Sequence, residues 1–202
     1  MNEQIFSKMR VNLKFFQLAS DALIPLLGYF LWDWNLYFIV LFYLLDYLVY
    51  EVFMHLKAKK IREIQGDHSV NWFKLGLISS LLLLVNLLLV HLTMESIVPN
   101  INFSNEIVAF WQYKDLGIEQ GYVLLPLIAF TGYQRYKMEF LMTGIFQKIS
   151  IHRLFKNHIQ AQLIALGCIT LAFGLSHLIR LPELVYIIGI IALSGAYQIL
   201  RK

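Results

Sequence analysis

Residues 35–60 read NLYFIVLFYLLDYLVYEVFMHLKAKK, an apolar run that carries Asp46, Glu51 and His55 before a basic end. About 20 residues at ~1.5 Å rise cross the hydrocarbon of a bilayer, so the run predicts a membrane-spanning helix. Tyr43, Tyr47 and Tyr50 stand among the ionisable residues. On the helical period these six polar side chains fall on one broad face, leaving Phe38, Val40, Leu41, Leu45, Val49 and Phe53 mostly to the other. Ionisable groups are costly at bilayer depth, so the polar face is expected to look into a helix bundle or a wet cavity.

The rest of the chain agrees with a membrane. Of its 202 residues 58% are hydrophobic and 15% charged, and the mean hydropathy is +0.61. Soluble domains sit near about 45–50% apolar. The single cysteine, Cys168, excludes an internal disulfide and a cysteine metal cluster. The first apolar run holds Asp21 and Pro25 and lacks a small-residue cleavage site, so it is expected to stay in the mature protein.

Outward from residues 35–60, the pattern predicts an all-α protein of six transmembrane helices in one domain, residues 1–202, with both termini cytoplasmic. The first span covers about 15–32, with a Pro25 kink one turn from Asp21, and Asp33-Trp34-Asn35 turns into the second. Trp32, Trp34 and Tyr37 are expected at the membrane–water interface there. The third span, 75–92, reads LGLISSLLLLVNLLLVHL. In the segment 93–117, Ser104 is expected to cap a short helix. The fourth span, about 118–134, contains Pro126. Residues 137–160 are basic, with Phe140, Leu141, Ile145, Phe146 and Ile149 at helical spacing. They read equally as a surface helix, a continuation of the fourth span, or a packed hairpin. The fifth span covers about 161–178, and the sixth ends before Arg201.

This layout puts all but Lys114 and Arg180 of the 17 basic residues on one side. Asp33, Glu95, Glu106, Asp115, Glu119 and Glu183 lie opposite. That is the positive-inside bias, and it accounts for the net charge of +4 without nucleic acid.

The first hairpin, LIPLLG at 23–28, then Trp34, then FYLLDYLVYEVFMHLK, resembles a family of uncharacterised bacterial multi-pass membrane proteins. In that family an Asn-x-x-Pro-x-x-Gly first span leads through a tryptophan to a second span with an acidic residue. Here Pro25 and Gly28 match, Asp21, four residues ahead of Pro25, stands for the Asn, and Asp46 takes the acidic place. FWQYKDLGIEQGYVLL at 110–125 is similar to a later aromatic–glycine segment, with Gln120 for an expected histidine, and His158 also fits. The resemblance covers about half the chain. It implies a bacterial inner membrane and no particular activity.

Three functional readings follow. The first is a non-enzymatic protein whose buried polar groups specify helix packing or assembly with other membrane proteins in the bilayer. The second is a small transporter or proton or cation pathway through Asp21, Asp46 and Glu51, with His55 at its mouth and Tyr43, Tyr47 and Tyr50 as hydrogen-bond partners. With entry near Asn35, Asp46 lies ~16 Å and Glu51 ~24 Å down, and Asp21 lies ~9 Å in from the opposite face. Asp21 and Glu51 thus share a level. The third takes His91 and His177, near the same ends of parallel helices, as axial ligands of one haem. No cofactor is otherwise indicated: His-Glu-x-x-His, a phosphate-cradling glycine loop and a dinucleotide fingerprint are all missing. Ser176 beside His177 makes no nucleophile–base pair, because those groups must converge in space. Ser79, Ser80 and Asn86 read as helix-packing contacts.

Overall fold

The computed structural model describes residues 19, 22–66, 71–112 and 120–200. Asp21, the basic leader, residues 113–119 and the last two residues fall outside these. The described chain is all α: α1 Ala22–Leu31, α2 Leu36–Gln65, α3 Trp72–Ile97, α4 Phe103–Gln112, α5 Gln120–Arg135, α6 Ile151–Leu178 and α7 Glu183–Leu200. Three of them, α2, α3 and α6, are long and apolar enough to cross a membrane. With 30, 26 and 28 residues, they run about 40 Å or more, against a hydrocarbon core of about 30 Å. The described α1 and α5 are shorter, at Ala22–Leu31 and 16 residues.

Local chemistry fixes the ends of the long helices. The Asn35 side chain accepts from the Phe38 N–H at 2.8 Å, while its own amide donates to Glu106 on α4 at 2.9 Å. One residue therefore caps α2 and anchors a neighbour. At the other end Gly66 takes a left-handed φ of 62°, and its N–H returns to the Arg62 carbonyl. Asn71 caps α3 through the Lys74 N–H, and Ser150 caps α6 through the Arg153 N–H. The cap of α4 is Asn102, bonded to the Asn105 N–H, and not Ser104. Both side chains suit a cap, and the chain geometry selects the earlier one.

α2 is the hub, packing against α3, α4, α5, α6 and α7. Around its N-terminal half, Leu36, Phe38, Ile39 and Phe42 form one apolar cluster with Trp34, Met94, Phe110 and Ile187. Around its C-terminal half, Met54, Ala58 and Ile61 form a second with Phe140, Ile151 and Phe155. Trp34 and Tyr37, expected at an interface, are instead buried in the first cluster. The tight turn at Asp33, with φ of 48°, folds the Trp34 ring back over Gly28.

α5 runs on as a π-helical stretch, Tyr136–Leu141, then turns at Gly144 through a 3-10 segment, Ile145–Gln147, into α6. Phe140 lies in the second cluster, with Phe146 and Ile149 packed against it. The Gln65 amide donates to the carbonyls of Phe146 and Ile149. Of the three expectations for 137–160, a continuation of the preceding helix describes residues up to Leu141 and a packed hairpin the turn that follows at Gly144. The second half of 137–160 is the opening of α6, which begins ten residues before the expected start.

α3 and α6 lie side by side and parallel. Buried positions on α3 step through Gly76, Ser79, Leu83, Asn86 and Thr93, and on α6 through Ile151, Phe155, His158, Gln162 and Ser176. Most of these are three- and four-residue steps and the other two, 86 to 93 and 162 to 176, are one and two heptads, the spacing of a seam between two supercoiled helices. Several seam positions are polar. The opposite faces expose Leu77, Leu81, Leu84 and Leu88 on α3 and Leu163, Leu171 and Leu175 on α6. Apolar exposure on that scale is a surface built for an apolar neighbour.

Candidate functional site: a carboxylate between two imidazoles

The polar face of α2 meets the α3–α6 seam at Glu51. Its carboxylate is 7% exposed and contacts side chains from all three helices. Ser79 of α3 donates to Oε1 at 2.5 Å, and His55 of α2, one turn on, places Nε2 3.3 Å from the same oxygen. His158 of α6 places Nε2 2.6 Å from Oε2, and the Gln162 amide donates to Oε2 at 3.2 Å. A 2.6 Å contact is at the short limit of charge-assisted hydrogen bonds. Both carboxylate oxygens are thus doubly engaged, as a buried charge requires.

The two imidazoles differ in access. His158 is 1% exposed, whereas the His55 side chain is 32% exposed. Room for His55 is made by Gly76, where an added Cβ would stand 2.9 Å from the ring. Tyr50 places its ring 5.2 Å from that of His158, and Lys57 lies over the rings of Tyr50 and Phe140. On α3 and α6 the site is seven residues in from the first helical residue, about 10 Å along the axis. That end of the bundle carries Lys57, Lys59, Lys60, Arg62, Lys74, Arg153 and Lys156.

Further polar contacts follow α3 away from the basic end. Asn86 donates to the Tyr47 hydroxyl at 3.3 Å and to the Gln162 carbonyl at 3.4 Å. Tyr37 and His91 Nε2 are 3.0 Å apart, and Ser96 meets Ser176 at 2.8 Å and His177 Nδ1 at 3.2 Å. From Ser79 to Ser96 these levels cover about 26 Å of helix.

The structure therefore divides the residues singled out from sequence. Glu51, His55 and Tyr47 belong to the column, and Tyr50 flanks it. Tyr43 packs against the first apolar cluster. Asp46 pairs with Arg135 of α5, which stands 3.7 Å from its carboxylate. Arg135, expected in a basic loop, is only 11% exposed in this pair. Asp21 lies outside the described residues, so its level relative to Glu51 is not placed. His91 and His177 do stand on parallel helices, but both ring nitrogens of His91 are engaged, Nδ1 by the Leu87 carbonyl and Nε2 by Tyr37. A haem iron would have to displace one of them. Among the described residues, no group of three or more His, Cys, Asp or Glu is arranged to hold a metal ion.

His158 and Gln162 were not recognised as site residues from sequence. The signal was present: Ile151, Phe155, His158 and Gln162 already carry the seam spacing, and Ser150 precedes them as a cap. The half-buried Asp46–Arg135 pair is expected to contribute modestly. Asp46→Asn should lower unfolding stability in detergent by about 1 kcal/mol or less, measured by denaturant titration. A loss as large as that from removing Glu51 would reverse the ranking of the two carboxylates. The chain matches no protein-family model, no curated protein and no solved structure.

Proposed function

We propose that the chain is a multi-pass protein of a bacterial inner membrane, with six spans and both termini on the basic side, and that it passes or exchanges protons through Glu51. The observation that carries this reading is the carboxylate shared by two imidazoles, one sealed and one partly exposed. Carboxylate and imidazole are the side-chain pair best suited to exchanging protons near neutral pH. Ionisable groups within spans most often mark such routes. The polar levels along α3 extend the same line through the bundle.

The test is proton flux into proteoliposomes holding a pH-sensitive dye, driven by an imposed potential. Glu51→Gln is expected to cut the flux by about tenfold or more. Asp46→Asn should leave it within about twofold, since Arg135, which stands 3.7 Å from that carboxylate, is no contact of Glu51. Flux no greater than in empty liposomes, or equal flux in Glu51→Gln, would overturn the reading.

A second reading has its own support. Four side chains from three helices saturate Glu51, which is also how a polar lock would specify helix pairing within one chain or in assembly with other membrane subunits. Under that reading Glu51→Gln changes stability and no flux exists to lose.

A further inference from the structure

Three buried polar atoms in and around the α3–α6 seam have no hydrogen-bond partner: His158 Nδ1, Gln162 Oε1 and Asn86 Oδ1. Their residues are between 0% and 1% exposed. None is a matter of amide orientation. The Gln162 amide nitrogen is committed to Glu51 and lies 3.5 Å from Ser79, and that of Asn86 is committed to Tyr47 and the Gln162 carbonyl. Turning either amide would lose those bonds and leave a donor stranded where an acceptor stands now.

The contrast with the other helical histidines sharpens the point. His91 and His177 each tie Nδ1 to the carbonyl four residues back, Leu87 and Phe173, at 2.8 and 2.9 Å. His158 makes no such bond. With its Nε2–H given to Glu51, the Nδ1 lone pair is left open inside the seam. His158 and Gln162 are one helical turn apart, about 6 Å, and Asn86 touches the Gln162 backbone. A small molecule offering two hydrogens suits His158 Nδ1 and Gln162 Oε1, a second one suits Asn86 Oδ1, and water is the molecule that buried polar clusters recruit.

Resting on the proton-exchange reading, we infer that water occupies the α3–α6 seam beside His158 and loads this imidazole with its proton at Nδ1. In the loading step an O–H bond of a hydronium ion breaks and an Nδ1–H bond forms. The products are one water and an imidazolium whose Nε2–H still faces Glu51. The groups facing the ring are Glu51 and Tyr50 from α2, with His55 on the same carboxylate, and Ser79 and Asn86 from α3 alongside. The Glu51–His158 pair passes from net negative to neutral on loading. The site thus has two approaches, the partly exposed His55 and water from within the seam.

The experiment is solid-state NMR on the full chain in lipid bilayers with nitrogen-15 histidine, reading polarisation transfer from water to each ring nitrogen. His158→Gln identifies the signals. The expected result is transfer from water to His158 Nδ1 while Nε2 keeps its hydrogen bond to Glu51. Gln162→Leu and Asn86→Leu should each reduce the transfer severalfold. A His158 Nδ1 that receives nothing from water in the unaltered protein, or that is bonded to the Leu154 carbonyl, overturns the inference. The two proposals fail separately. Flux lost in Glu51→Gln with a dry Nδ1 removes only the water route, and a hydrated Nδ1 without flux removes only the transport reading.

Discussion

Replacing Glu51 by leucine is expected to cost about 3 kcal/mol or more of unfolding free energy, among the largest losses of any single substitution in the chain. The side chain deleted is the acceptor for Ser79, His158 and Gln162 and a neighbour of His55. His158 and Gln162 already carry one buried atom each without a partner. Leucine would strand their remaining polar atoms as well. Glu51→Gln keeps an oxygen and offers an amide in the same volume, so its cost is expected nearer about 1 kcal/mol. Denaturant titration in detergent or steric trapping in bilayers would read both. In the double variant Glu51→Leu, His158→Leu part of the loss should return, because no stranded imidazole remains. A Glu51→Leu protein as stable as the parent would remove the site from the structural account altogether.

Gly28→Ala is expected to cost about 2–3 kcal/mol, by overpacking. A Cβ at position 28 would lie 2.3 and 2.5 Å from two ring atoms of Trp34. That indole cannot retreat easily. It is 2% exposed, and the Trp34 N–H is bonded to the Gly28 carbonyl at 2.9 Å. The first turn is therefore built by two backbone hydrogen bonds to the Gly28 carbonyl, from Trp32 and Trp34, and one ring seated on a glycine. Gly167→Ala is the control, since nothing lies within 4 Å of an added Cβ there. Removing glycine from a helix interior should be neutral or favourable by up to about 1 kcal/mol. Equal behaviour of the two variants in a thermal-melt comparison would refute the ring-on-glycine account.

How much of this could be read from residues alone depended on where the information sat. The spans around 35–60 and 75–92 were legible because long apolar runs report themselves by composition. Asn35 and Ser150 also announce helix starts, though Ser104 does so misleadingly beside Asn102. Glu51 and His55 stood out because charge in an apolar run is costly wherever it points. Their partners did not. Ser79 and Asn86 look like ordinary breaks in a leucine-rich helix that is apolar all round, so no amphipathic face marks the seam. His158 lies in a basic stretch whose lysines and arginines suggested a surface, and its burial arises only from pairing with a helix far away in sequence. Asp46 and Glu51 share one broad face on a helical projection. Yet a helix surrounded by neighbours divides that face, and Arg135 takes one carboxylate while the seam takes the other. The third dimension decides which polar residue is central.

The separation along the chain has a consequence for biosynthesis. Glu51 precedes His158 by 107 residues. At about 5–20 residues per second, the carboxylate waits on the order of 5–20 s for its closest partner to be made. During that interval His55 and then Ser79 are the site partners already synthesised, and the parallel pairing of α3 with α6 cannot yet exist. A newly made α2 therefore carries Glu51 without the imidazole and amide of His158 and Gln162 until α6 docks. Late docking of α6 would then be the moment at which this carboxylate first becomes a buried charge. Premature termination between α3 and α6 should leave a product that quality-control proteases recognise by that unmatched acid.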